Sequence, residues 1–173
     1  MNKNLIPTYM AKTIFNIRPE KLKKEGISHL FVDLDNTLAS PYIDLPDDQV
    51  KKWIEEVKKS NIAITILSNN HEERVKKFAE SLQVSYLSDV KKPRIFKLKN
   101  YLKEKEMDYE KCMAIGDQIM TDVLLAKKLN LKVILVEPKT SKDEPITFFP
   151  RLLDRYFRKK IKKKNLAGYY DYG

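Results

Sequence analysis

The stretch FVDLDNTLAS, Phe31 to Ser40, sets two aspartates two residues apart directly behind a run that reads as a buried strand. In HLFVDLD the apolar residues are continuous rather than alternating, the mark of a parallel strand covered on both faces. Two carboxylates at the end of such a strand need positive charge close by. The fold and the chemistry both follow from what else converges on that place.

Four further apolar, β-branched runs follow, IAITILSN, VSYLSD, CMAIGD and LKVILVEP. Helical stripes separate them. Val50, Trp53, Ile54 and Val57 fall at i, i+3, i+4 and i+7, and Val75, Phe78, Ala79 and Leu82 repeat the spacing. Ile95, Leu98, Tyr101 and Leu102 form a third stripe, and Val123 to Leu129 a fourth. Pro46, Asp47 and Asp48 read as a helix start, and Asn130 as a left-handed helix end. Alternating strands and helices predict an α/β fold, a doubly wound parallel sheet of about five strands.

In such a sheet the residues just past the strand ends gather along one edge, where ligands bind. Here they are Asp33 and Asp35, then Ser68, Asn69 and Asn70, then Lys91 and Lys92, then Asp117, with Asp122 one turn into the next helix. Carboxylates from two loops suit a hard divalent cation such as Mg²⁺, which keeps coordination positions for a phosphate. A lysine and a hydroxyl opposite suit the phosphate itself. Of the two lysines, the following Pro93 favours Lys92 as the one that enters. As a calcium loop, DLDNT fails at its sixth position, Leu38 instead of Gly, and at its twelfth, Asp44 instead of Glu.

Length and charge narrow the classes. The 173 residues suffice for one well-buried core, placed at residues 1–150, with 151–173 as a basic amphipathic helix and tail. The lone Cys112 excludes an internal disulfide framework and fits a reducing cytosol. No apolar run approaches the ~18 residues of a membrane span, and the N-terminus lacks the apolar core of a secretory signal. Its first acidic residue is Glu20, which keeps a transit peptide as the less favoured alternative. Of the net +10, eight basic residues against Asp154 and Asp171 leave +6 in residues 151–173. His29 precedes a strand and reads as structural or exposed, while His71 begins a helix beside the polar cluster.

The ordered motifs resemble the haloacid dehalogenase (HAD) superfamily of aspartate-nucleophile phosphatases. DLDNT is similar to its first motif, LSNN to its second, Lys92 before Pro93 to its third and GDQIMTD to its fourth. More narrowly, PEKLKKEGISHLFVDLDNTL, LSNN, KKP and GDQIMTDVLLAKKLN resemble the YqeG-like subfamily IIIA over about residues 5–160, a group related to phosphatidylglycerophosphate phosphatases. The resemblance implies an HAD-like Rossmannoid fold and a phosphomonoester hydrolase working through an aspartyl-phosphate. In it Asp33 is the nucleophile and Asp35 the general acid and base. Ser68, Asn69 and Lys92 bind phosphate, with Lys92 also balancing charge on Asp33. Asp33, the backbone carbonyl of Asp35 and Asp117 hold Mg²⁺, and Asp122 orients a metal-bound water or Lys92.

Thirty residues separate Thr37 from Ser68 and twenty-three separate Ser68 from Lys92, each used up by one helix and one strand, so no cap domain fits. An uncapped site is covered by its substrate or by the surface carrying it, which points to a macromolecule or an anionic phospholipid. In FFPRLLDRYFRKKIKKK, Phe149, Leu152, Leu153, Tyr156, Phe157 and Ile161 form one face and Arg151, Arg155, Arg158, Lys159 and Lys162 the other. Residues 151–164 then either lie peripherally at the inner membrane surface of a cytoplasmic protein, close the sheet as a structural helix, or, less favoured, bind nucleic acid. GYYDYG is expected to be a disordered or loosely docked tail. Rival functions are a phosphatase for phosphoprotein or nucleic-acid ends and a non-catalytic RNA- or ribosome-binding protein.

Overall fold

A computed structural model describes residues 2–139 and 148–170. The chain forms a parallel sheet of strands β1 (Tyr9–Ala11), β2 (His29–Val32), β3 (Ala63–Leu67), β4 (Ser85–Leu87), β5 (Cys112–Gly116), β6 (Lys132–Val136) and β7 (Gly168–Tyr169). Their order is β4-β3-β2-β5-β6-β1-β7. Seven strands replace the expected five. The two additions, β1 and β7, are the short segments YMA and GY, which lie in no run of apolar, β-branched residues.

Helices α1 (Pro19–Lys24), α2 (Asp48–Lys59) and α3 (Glu72–Leu82) cover one face, while α4 (Phe96–Glu104), α5 (Leu124–Lys128) and α6 (Phe148–Lys163) cover the other. The pleat divides β2 between them: Leu30 and Val32 join the core with Trp53, Ile54 and Phe78, and Phe31 joins the core with Leu98, Leu102 and Ile161. Only α2 lies between β2 and β3, so no inserted domain covers the site among the described residues. Asp47 caps α2 by accepting the Val50 N–H at 2.8 Å, and Asn130, at φ 58°, ends α5.

The tail expectation is corrected. Gly168 and Tyr169 pair with β1, and Tyr170 is buried edge-on against Tyr9 with ring centroids 5.2 Å apart. A parallel edge strand whose next residue buries an aromatic ring is tied down by backbone and by apolar area at once. Residues 171–173 and the side chains of Phe149 and Arg151 lie outside the described residues. His29 is structural as expected, its ring 2.8 Å from the Thr65 hydroxyl, and buried Cys112 stands in β5.

Candidate active site

The chain runs from β2 to β3 on one side of the sheet and to β5 on the other, so the crevice at their C-terminal ends is a topological switch point. Asp33 leaves β2 there, its N–H donating to the Ile115 carbonyl at 2.8 Å. Asn36, at φ 66°, turns the chain back on itself, and the Leu38 N–H closes onto the Leu34 carbonyl at 2.9 Å. Asn tolerates this left-handed conformation, which lets Asp33 and Asp35 sit on one tight loop.

Lys92 reaches the crevice from the segment after β4. Its ammonium is ion-paired with Asp33, lies 2.6 Å from Asp122 Oδ1 and donates to the Leu67 carbonyl at 3.1 Å. All three of its donors are used, on a side chain only 3% exposed. Lys91 points to solvent. Asn69 holds the Lys92 backbone from both sides, accepting its N–H at 2.6 Å and donating to its carbonyl at 3.4 Å.

Asp33, Asp117 and Asp122 are buried and present carboxylate oxygens within 4.8 Å of one another. Burial pushes Asp33 up to about 7, with Lys92 opposing and Asp122 reinforcing the rise. Asp117 is raised well above the usual carboxylate range, first by burial and then by Asp33 and Asp122. Burial would lower Lys92, but the Asp122 and Asp33 carboxylates more than offset it and hold its ammonium charged. Three carboxylates on one lysine leave an excess of negative charge in a desolvated place. An all-oxygen donor set of this kind fits a hard divalent cation.

The Asp35 side chain is not one of that group and has its own partners. Its Oδ1 accepts from Arg74 Nη2 at 2.8 Å, and its Oδ2 faces Asn70 Nδ2 at 3.4 Å and the Ser68 hydroxyl at 3.5 Å. Ser68 is buried, and its oxygen accepts the Asn70 N–H at 3.0 Å. His71 stands at the residue before α3, without a side-chain capping bond, and is exposed. The sequence reading missed Arg74, since an arginine in the first turn of an amphipathic helix gives no signal of an inward role.

It also missed what α6 contributes. Asp154 accepts the Ile119 N–H at 2.6 Å and the Arg158 Nε at 2.7 Å. Arg158 donates through Nη2 to the Asp117 carbonyl and to the Val136 carbonyl at 2.9 Å. The loop carrying Asp117 is therefore fastened from the C-terminal helix. Asp154 and Arg158 are four residues apart, a spacing that reads equally as a solvated surface pair.

Comparisons with known proteins agree with this geometry. The family model described as mitochondrial PGP phosphatase matches residues 1–139. The chain is 37% identical over 164 residues to the probable phosphatase YqeG of Bacillus subtilis strain 168, covering 95% of each. Among solved structures it resembles a putative HAD family hydrolase from Streptomyces avermitilis, with a TM-score of 0.54 and 16% identity over 68% of this chain and 76% of that one. It also resembles the cobalt-bound deoxy-D-mannose-octulosonate 8-phosphate phosphatase of Haemophilus influenzae, with a TM-score of 0.53 and 17% identity over 66% and 70%. The solved structures speak for the fold, which is that of an HAD hydrolase, and the family match and the B. subtilis relative speak for descent: the chain belongs to the PGP phosphatase family and is a YqeG-like phosphatase.

Proposed function

We propose that the protein is a Mg²⁺-dependent phosphomonoester hydrolase whose substrate is phosphatidylglycerophosphate. The observation that carries the mechanism is the pairing of Lys92 with Asp33 and Asp122 beside Asp117. A carboxylate that is buried, cation-paired and next to a surplus of acids is suited to attack phosphorus once further positive charge arrives. Mg²⁺, held by Asp33, the Asp35 carbonyl and Asp117, would supply that charge and neutralise the phosphate.

Asp33 forms the bond to phosphorus while the bond to the leaving oxygen breaks, and Asp35 gives that oxygen its proton. Asp35 then takes a proton from water, which attacks the aspartyl-phosphate, frees inorganic phosphate and restores the Asp33 carboxylate. Lys92 stabilises charge on Asp33 and on the phosphoryl oxygens, and the Ser68 hydroxyl and the Asn69 N–H donate to those oxygens. Asp122 acts through Lys92, which it holds in place.

Support for a lipid substrate comes from the family description and from the exposed side of α6, where Leu152, Leu153 and Tyr156 stand beside Lys159 and Lys162. Such a face can rest in an anionic headgroup layer, each basic residue contributing about 1 kcal/mol. No helix among the described residues is long and apolar enough to cross a membrane. Peripheral contact is the mode this allows.

The test is phosphate release from phosphatidylglycerophosphate in mixed micelles, with and without Mg²⁺, by wild type and Asp33→Asn. Metal-dependent release lost in the variant supports mechanism and substrate together. Activity on a small aryl phosphate without release from the lipid keeps the phosphatase and discards the lipid. Wild-type rates in Asp33→Asn sink the nucleophile.

A further inference from the structure

Arg74 is the hub of the loop opposite the carboxylate cluster. It stands in the first turn of α3 with its side chain only 10% exposed. One amino group, Nη2, donates to Asp35 Oδ1 at 2.8 Å and to the Ser40 carbonyl at 3.3 Å. The other, Nη1, donates to the Ile43 carbonyl at 2.9 Å and to Asp44 Oδ1 at 3.1 Å. Lys77, one turn further along α3, approaches Asp44 Oδ2 at 3.4 Å. A single planar fork thus ties the Asp35 carboxylate, the chain at Ser40 and Ile43, and Asp44 to a rigid helix.

The remaining partners of Asp35 are weak. Its second oxygen meets Asn70 and Ser68 at 3.4 and 3.5 Å, near the limit of hydrogen bonding. Without Arg74 nothing strong among the described contacts fixes the direction of this carboxylate, and the Ser40–Asp44 segment loses its anchor to the same helix. The demand on an acid and base that serves both halves of a phosphoryl transfer is geometric: one oxygen must stay within reach of the leaving oxygen and then of water.

We infer that Arg74 is the positioning residue of the general acid and base, holding Asp35 aimed across the crevice and fixing the rim segment Ser40–Asp44 to it. The inference rests on the reading of Asp35 as that acid and base. Arg74 itself touches neither nucleophile nor metal cluster; its effect on the reaction passes through Asp35.

The leaving group separates this role from a merely structural one. p-Nitrophenolate departs without a proton, whereas an alkoxide needs one, so losing the aim of Asp35 harms alkyl phosphates selectively. In Arg74→Gln, kcat/KM for glycerol phosphate should fall about 30-fold while that for p-nitrophenyl phosphate stays within about 3-fold, a fraction of what general acid catalysis supplies. Arg74→Lys, which keeps the charge but not the fork, should also discriminate, and circular dichroism checks that both variants fold. In an Asp35→Asn background, Arg74→Gln should add almost nothing, because the two act as a unit.

Equal losses on the two substrates, or full additivity with Asp35→Asn, would overturn the positioning role and leave the assignment of Asp35 intact. If Asp35→Asn itself shows no leaving-group dependence, the reading of Asp35 fails and this inference goes with it.

Discussion

Gly116 ends β5 one residue before Asp117, and its backbone lies close against Asp122. A methyl group built there would sit 2.5 Å from Asp122 Cβ and 2.6 Å from its Oδ2. Ordinary contact needs nearly 1 Å more, so Gly116→Ala drives Asp122 back by about that distance. Asp122 now receives Lys92 Nζ at 2.6 Å and the Gln118 N–H at 3.0 Å, and a retreat of that size loses at least one of them. Losing a charge-assisted hydrogen bond costs about 1.5–3 kcal/mol, and crowding in a tight interior adds about 1 kcal/mol, so about 3 kcal/mol is expected. For a chain of this size that is roughly 6–12 °C in Tm. Gly26→Ala is the control. Gly26 has φ +76° with nothing within 4 Å of the added methyl, so it tests backbone strain without crowding and should cost only about 1 kcal/mol. Thermal unfolding by circular dichroism, with aryl phosphatase activity on the same samples, reads both variants. A Gly116→Ala protein within about 2 °C of wild type and fully active would refute the claim that Gly116 is there to admit Asp122.

His29 is held by burial at about 4, below its usual 6.5, so an unfolded chain binds a proton near pH 5 that the folded one refuses. Stability is therefore flat above pH 6.5 and falls on acidification towards pH 4, by about 1–2 kcal/mol because the ring keeps some solvent contact. His29→Gln should remove that component from urea titrations at pH 7 and pH 5; an unchanged difference between the two would contradict it. Tyr170→Ala should cost about 2 kcal/mol, or roughly 4–8 °C, by emptying the place against Tyr9. An unshifted Tm would mean that the tail does not dock. For the proposed membrane contact, Leu152→Glu with Tyr156→Glu should weaken sedimentation with anionic vesicles while leaving aryl phosphatase activity unchanged. Equal sedimentation would remove the lipid role from α6.

Five of the seven strands were legible because each lies in an apolar or β-branched run, and the crossover helices between them show a clean stripe. The Asp33, Asp35, Ser68, Lys92 and Asp117 set was legible for a related reason. Once the strands are located, parallel topology alone brings their C-terminal ends to one edge. β1 and β7 were not legible, since YMA and GY lie in no run of apolar, β-branched residues. Arg74, Asp154 and Arg158 were hidden by a different cause. Each is charged and lies on an amphipathic helix, where hydropathy assigns every charged residue to solvent. Their inward turn depends on a carbonyl, a carboxylate or, for Asp154, a backbone N–H waiting past the end of a strand, which is a tertiary fact.

The two faces of α6 constrain what the basic tail can do. Inward, Ile161 is buried in the core, and Asp154 and Arg158 are bound to the Asp117 loop. A helix held by a buried ion pair and by bonds to three backbone groups cannot leave the sheet to lie flat in a membrane without stripping that loop of its supports, which costs several kcal/mol. Any lipid contact must therefore use the docked helix, through Leu152, Leu153 and Tyr156 on its exposed side. This changes the meaning of a deletion. Removing residues 152–173 would abolish Asp154 and Arg158 along with the exposed side chains of the outer face, so lost activity would report on the Asp117 loop and not on a membrane. Point substitutions on the outer face separate the two, because the inner face holds the site together whether or not a bilayer is present.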